Sequence, residues 1–293
     1  MRKMTKIRES SLRRYSESFN HILVLFGVIA LSTVLVLGCS GINNQAQHLV
    51  PVELEIIHKI SLDFTPAKCT FSTSDKTLFV LDGKDNKIHF FRDGKMVNSV
   101  GGMGFEKQNF TRLTDIALSP DDKLLALDSF EKTIKKFDKD GNLITEFVVE
   151  NLNKPKLFDI SIDENFYIYD ENINEILSTR FFSESDDYFF GKFELNNPQK
   201  IVLIKNELLV YNDDNTTLIY DTFGQLIAEK SGNIQRDNFA DYVLQKYFIE
   251  HIKSGKKFAI SPNPWLGFDI KNGYVVLYTA NEIVIGKFVY EAR

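Results

Sequence analysis

The chain has 293 residues, 43% hydrophobic and 26% charged, which gives ample apolar material for one large domain or two small ones. Its two cysteines, Cys39 and Cys69, cannot build a disulfide framework or a cysteine-rich zinc site. The net charge is −5, yet residues 1–38 carry six cationic side chains against two acidic ones, so the remainder is more acidic than the whole. An acidic body excludes general nucleic-acid binding, which needs cationic surface to displace phosphate counterions.

Residues 1–20 are basic and polar, and no charge falls between Ile22 and Gly38. A positive flank followed by an apolar run is the grammar of a secretory signal, and the basic flank keeps the N-terminus cytoplasmic. Val36-Leu37-Gly38-Cys39 resembles the lipobox of bacterial lipoproteins. That resemblance implies lipidation of Cys39, cleavage before it, and a membrane-anchored protein of the cell envelope outside the cytoplasm. Leu37 departs from the small residue usual before the final glycine. The alternative is an uncleaved helix over residues 22–38, whose seventeen residues span roughly 25 Å at about 1.5 Å each. Either way the membrane is held through an N-terminal lipid or helix. Residues 39–52 read as a tether and 53–293 as the folded body.

The 25 Phe and 11 Tyr suit half-buried strands, and the body repeats. Phe79-Val-Leu-Asp82, Leu125-Ala-Leu-Asp128, Tyr167-Ile-Tyr-Asp170 and Leu209-Val-Tyr-Asn212 align, with the last residues spaced by 46, 42 and 42. A turn glycine (Gly94, Gly141, Gly224) follows three of these landmarks, and Pro155 and Pro198 open their units alike. Each unit holds four strands, the size of a propeller blade. Five units are recognisable, over 67–104, 111–149, 154–193, 197–232 and 259–290. The fold class is therefore all-β, a propeller of five or six four-stranded antiparallel blades. Glu53–Leu62 is an extra strand expected to pair with the last blade and close the ring.

Residues 237–254 stand apart. Phe239, Val243, Tyr247 and Ile252 or Phe248 recur near helical spacing, Asn238 could cap the segment and Gly255 could end it. This predicts an amphipathic helix inserted between blades, the alternative being a sixth blade of degenerate sequence.

Asp115-Ile-Ala-Leu-Ser, Leu125-Ala-Leu-Asp128, Ile134-Lys-Lys-Phe-Asp138 and Lys139-Asp-Gly-Asn-Leu143 make the second unit resemble an NHL repeat. Val100-Gly-Gly-Met-Gly-Phe105 is similar to the glycine-rich link between such blades. The resemblance implies a six-bladed propeller that binds protein, peptide or a small ligand. A minority of related propellers are calcium-dependent lactonases or lyases.

For chemistry, Asp115, Asp159 and Asp269 open first strands, which line the channel of a propeller, and could form a cation-binding ring. The competing reading makes them acceptors for backbone N–H groups at blade corners, and Lys200 in the fourth unit opposes a cation. No two of the five histidines have ligand spacing. Cys69 reads as a buried, inert thiol, and Asp213-Asp214-Asn215 as a solvated turn. Trp265, in the rigid loop Ser261-Pro-Asn-Pro-Trp-Leu-Gly267, is either a contact anchor or core packing. No catalytic residue, metal site or cofactor is assigned. The expectation is a non-enzymatic binding module for protein, peptide or small ligand, with a metal-dependent lactonase- or lyase-like enzyme as the alternative.

Overall fold

The structure, a computed structural model, describes residues 49–149, 151–180, 187–261 and 263–292. Cys39, the apolar run before it and most of the tether lie outside the described residues. From Leu49 to Ala292 the chain forms six four-stranded antiparallel sheets and one compact unit.

Strand β1 (Leu49–Ser61) comes first in the chain but belongs to the last sheet. Blade one is β2–β5 (Lys68–Phe71, Leu78–Asp82, Lys87–Arg92, Lys95–Gly101). Blade two is β6–β9 (Leu113–Leu118, Leu124–Asp128, Thr133–Phe137, Leu143–Val148). Blade three is β10–β13 (Pro155–Ile160, Phe166–Asp170, Glu175–Thr179, Tyr188–Phe190). Blade four is β14–β17 (Pro198–Ile204, Glu207–Asn212, Thr216–Asp221, Leu226–Ser231). Blade five is β18–β21 (Ile234–Arg236, Asp241–Leu244, Phe248–His251, Lys256–Ala259). Blade six is β22–β24 (Gly267–Lys271, Tyr274–Tyr278, Glu282–Ala292), completed by β1 as its outermost strand.

The expected closing strand is present, and it starts earlier than Glu53. Leu49 pairs with Ala292 and Ser61 with Glu282, with two bulges between. Closure through chain-distant strands removes the edge that an open ring would expose.

The helix expected over 237–254 is not formed, because this stretch is the core of blade five. Tyr242 and His251 are cross-strand neighbours, and Ile249 faces Leu244. Tyr242 and Ile249 are fully buried, whereas Phe239, Tyr247 and Ile252 are 44%, 52% and 43% exposed. The helical spacing thus falls mainly on turn residues, while the buried set follows the two-residue period of strands. The sixth blade is this one. The last unit begins at Gly267 rather than at 259, since Lys256–Ala259 is the outer strand of blade five.

Packing between blades explains the burial of the second strands, all five residues of which are buried in blades one, two and three. Phe79 and Phe90 of blade one pack with Ile116 and Phe137 of blade two. Leu125 and Ile134 of blade two pack with Phe158 and Ile168 of blade three. Val80 and Phe91 pack with Val276 and Ile285 across the closure. A four-stranded sheet cannot bury both faces alone, and stacking around a ring meets that need.

The recurring landmark has a defined task. Asp128 accepts the backbone N–H of Thr111 (2.7 Å) and Arg112 (3.1 Å) on the incoming chain, and of Phe130 (3.0 Å) and Glu131 (3.2 Å) in the turn after it. Asp170 does the same for Lys154 (3.0 Å) and Asn172 (2.8 Å). One buried carboxylate thereby satisfies backbone donors that would otherwise be orphaned at a blade corner. The turn glycines Gly94, Gly141 and Gly224 all have positive φ, at 74°, 86° and 77°, which fits their place between the third and fourth strands.

Candidate functional site

In each blade the innermost strand starts at one rim of the ring and ends at the other. The connections between blades and the turns after second strands lie at the first rim, here called upper. The remaining hairpin turns lie at the lower rim. A cavity of about 520 Å³ opens among upper-rim residues, and one of about 600 Å³ among lower-rim residues. Lys68, Lys200 and Asp269 line both cavities, so they form the waist of the channel.

The waist is ionic and internally paired. Lys68 Nζ lies 2.6 Å from Asp115 Oδ1. Lys200 Nζ lies 2.9 Å from Asp269 Oδ1 and also donates to Gln235 Oε1 (2.9 Å) and the Phe268 carbonyl (3.1 Å). Lys200 of blade four therefore ties together blades five and six.

Asp115 is completely buried and lines neither cavity. Besides Lys68 it accepts the N–H of Ile116 (2.9 Å) and, from blade three, of Phe158 (2.9 Å). Burial raises its pKa, opposed by the Lys68 ammonium. Asp159 repeats the device one blade on, accepting the N–H of Ile160 (2.9 Å) and of Leu203 in blade four (2.6 Å). Burial pushes the Asp159 carboxyl up to about 6, against the lowering effect of those N–H donors and of Lys68. Both carboxylates couple neighbouring blades.

The three aspartates do not share one level of the channel. Asp115 pairs with Leu127, directly before its blade's landmark, as Lys68 pairs with Leu81 and Lys200 with Tyr211. Asp159 pairs with Tyr167 and Asp269 with Val276, two residues deeper. Asp159 and Asp269 line the lower cavity together. Among the described residues no group of three or more His, Cys, Asp or Glu is placed to hold a metal ion. His58 lies on the outermost strand of blade six, and His89 and His251 on third strands, so all three are away from the innermost strands.

Cys69 lines the upper cavity but is buried, and burial, with Asp269 nearby, raises its thiol pKa well above the ordinary value. A thiol in that state is a poor nucleophile. Trp265 also lines the upper cavity, with its ring packed against the core shared by blades five and six. Its indole Nε1–H is buried and has no hydrogen-bond partner among the described residues.

Several lining residues escaped the sequence reading, namely Lys68, Gln235, Asn233 and Gln245, while Asn215 was read only as part of a solvated turn. Lys68 was readable in principle, because it holds the same register as Asp115 and Lys200. The carboxamides had no signal, since their blade went unrecognised or they sit in connections.

No family model matches the sequence, and no curated protein matches it. Solved structures do. Virginiamycin B lyase from Staphylococcus aureus is 15% identical with a TM-score of 0.54, covering 81% of this chain and 100% of that one. A streptogramin B lyase is 15% identical, TM-score 0.52, over 80% and 97%. A gluconolactonase from Xanthomonas campestris is 10% identical, TM-score 0.58, over 82% and 97%. They share its fold. Such identities speak to architecture and leave chemistry to the site itself.

Proposed function

We propose that this protein is an exported, membrane-anchored propeller of NHL-like blades that binds a protein, peptide or small ligand without transforming it. The observation carrying this reading is the waist. Lys68 answers Asp115 and Lys200 answers Asp269, so two of the three candidate carboxylates are already paired with an ammonium, and Asp159 alone has none. An ammonium 2.9 Å from Asp269 competes directly with a cation for that oxygen. The upper cavity above the waist is the binding site. The lipobox-like Val36–Cys39 and the basic flank support export and anchoring.

A second reading follows from the structural neighbours, two lyases and a gluconolactonase: a metal-assisted lyase or hydrolase using Asp159 and Asp269 in the lower cavity. Thermal unfolding with Mg2+, Ca2+ or Mn2+, then with chelator, separates the two. Binding without chemistry predicts an unchanged midpoint. A metal-dependent rise, reversed by chelator and absent in Asp269→Asn, would establish the second reading. Export is tested by intact mass and detergent partitioning beside Cys39→Ala. An acylated species starting at Cys39, lost in the variant, is expected. A full-length species that partitions with membrane in both versions would replace the lipid with a permanent helix.

A further inference from the structure

The side chains of the upper cavity differ in whether their hydrogen-bonding capacity is spent. The ionic groups are committed, Lys68 to Asp115 and Lys200 to Asp269 and Gln235. Gln235 is 93% buried and gives its carbonyl oxygen to Lys200, and no described acceptor takes up its amide N–H groups. Asn215, Asn233 and Gln245 are solvent-exposed, and among the described residues their side chains make no hydrogen bond. Trp265 adds a buried indole N–H with no partner among the described residues. A buried donor without an acceptor costs about 1–3 kcal/mol, so in a native fold it calls for a missing partner.

These groups are neighbours. Asn215 is in the turn after the second strand of blade four, and Asn233 joins blades four and five. Gln245 is in the corresponding turn of blade five, and Trp265 joins blades five and six. They make one arc of the upper rim. Val243, Leu244 and Leu266 lie between them, and Leu266 is 56% exposed.

We infer that the upper cavity takes an uncharged, extended polypeptide segment, read through its main-chain amides. This rests on the binding function proposed above and names its ligand class. A carboxamide presents one donor and one acceptor in a plane, the same pair a peptide unit presents, so the two match through two hydrogen bonds. Trp265 Nε1–H supplies a further donor for a carbonyl oxygen. The aliphatic members of the arc suit apolar side chains of the segment. A charged ligand group would be desolvated in the cavity without a free counter-charge, because every lysine and carboxylate at the waist is already paired.

The test uses the full chain in nanodiscs and a random peptide library displayed on phage. Selected peptides are synthesised and titrated by fluorescence anisotropy. The bound core should lack Asp, Glu, Lys and Arg. Trp265→Phe, which keeps a ring and removes the N–H, should weaken binding about tenfold, as should the exposed double variant Asn233→Ala/Gln245→Ala, whose turns carry no core packing. Enrichment of charged peptides, or unchanged affinity in both variants, would overturn the inference while leaving a binding function intact. Failure to enrich any peptide, or retention of maltohexaose or chitohexaose with loss in Trp265→Phe, would also overturn it. The metal-dependent melting shift described above would instead sink the binding function itself.

Discussion

Asp159 couples blade three to blade four and should make stability depend on pH in a way one substitution removes. Its ordinary pKa is 3.8 and its folded value about 6, raised chiefly by burial. Between these values the folded protein keeps a proton that the unfolded chain has released. Rising pH in that window therefore favours unfolding. The contribution is whole below about pH 3.8 and is lost once pH passes about 6. At about 1.36 kcal/mol per pKa unit, the ceiling is about 3 kcal/mol. Asp159→Asn cannot titrate, and its single carbonyl oxygen leaves one of the N–H groups of Ile160 and Leu203 unmatched, at a cost of about 1–3 kcal/mol. Urea unfolding of the full chain in mild detergent, at several pH values from about 4 to about 7.5, compares the two. The variant should be the less stable at the acid end and gain on the natural chain as pH rises. A stability difference that stays constant across this range would refute the account of Asp159.

Two further predictions concern packing. Gly101→Ala should lower stability by at least about 2 kcal/mol, read as a fall in melting temperature, because φ is +89° and a Cβ would sit 2.6 Å from the Asn86 carbonyl and 2.7 Å from the Phe110 ring. In Cys39→Ala, where Cys69 is the remaining cysteine, the native protein should react with a thiol-specific chromogen only as fast as it unfolds, since Cys69 is buried and its pKa is raised. Rapid labelling under native conditions would show instead an accessible thiolate.

Much of the ring could be read from the chain because the landmarks do a job that every corner repeats. Asp128 and Asp170 each gather backbone donors from two segments, so aspartate recurs where the geometry recurs. Blade five has no aspartate or asparagine at the end of its second strand, where Gln245 follows Leu244, and its strands are only three or four residues long. Too few alternations remain there to outweigh the accidental helical spacing of Phe239, Tyr247 and Ile252. Register in the channel was harder to read for a different reason. The first hairpin turn varies in length, Ser119–Lys123 in blade two against Lys205-Asn206 in blade four, and bulges follow Leu113, Pro155 and Pro198. Counting along the sequence therefore places Asp115, Asp159 and Asp269 at one level when pairing puts Asp115 above the others. Nor could counting reveal that Lys68 sits against Asp115, because that contact crosses between blades.

The closure of blade six also governs how the molecule carries load. Leu49 and Ala292 face each other at the end of an antiparallel register that runs to Ser61 and Glu282. Tension applied at Leu49 along the axis of β1 pulls at right angles to the hydrogen bonds that hold it, which lie across the strands. The bonds then share the load in shear and must fail together. Tension that draws Leu49 and Ala292 apart meets the same bonds singly, from the end inward, as a zipper opens. The seam that completes the ring thus resists tension along β1, whereas tugging its two ends apart would open the ring stepwise.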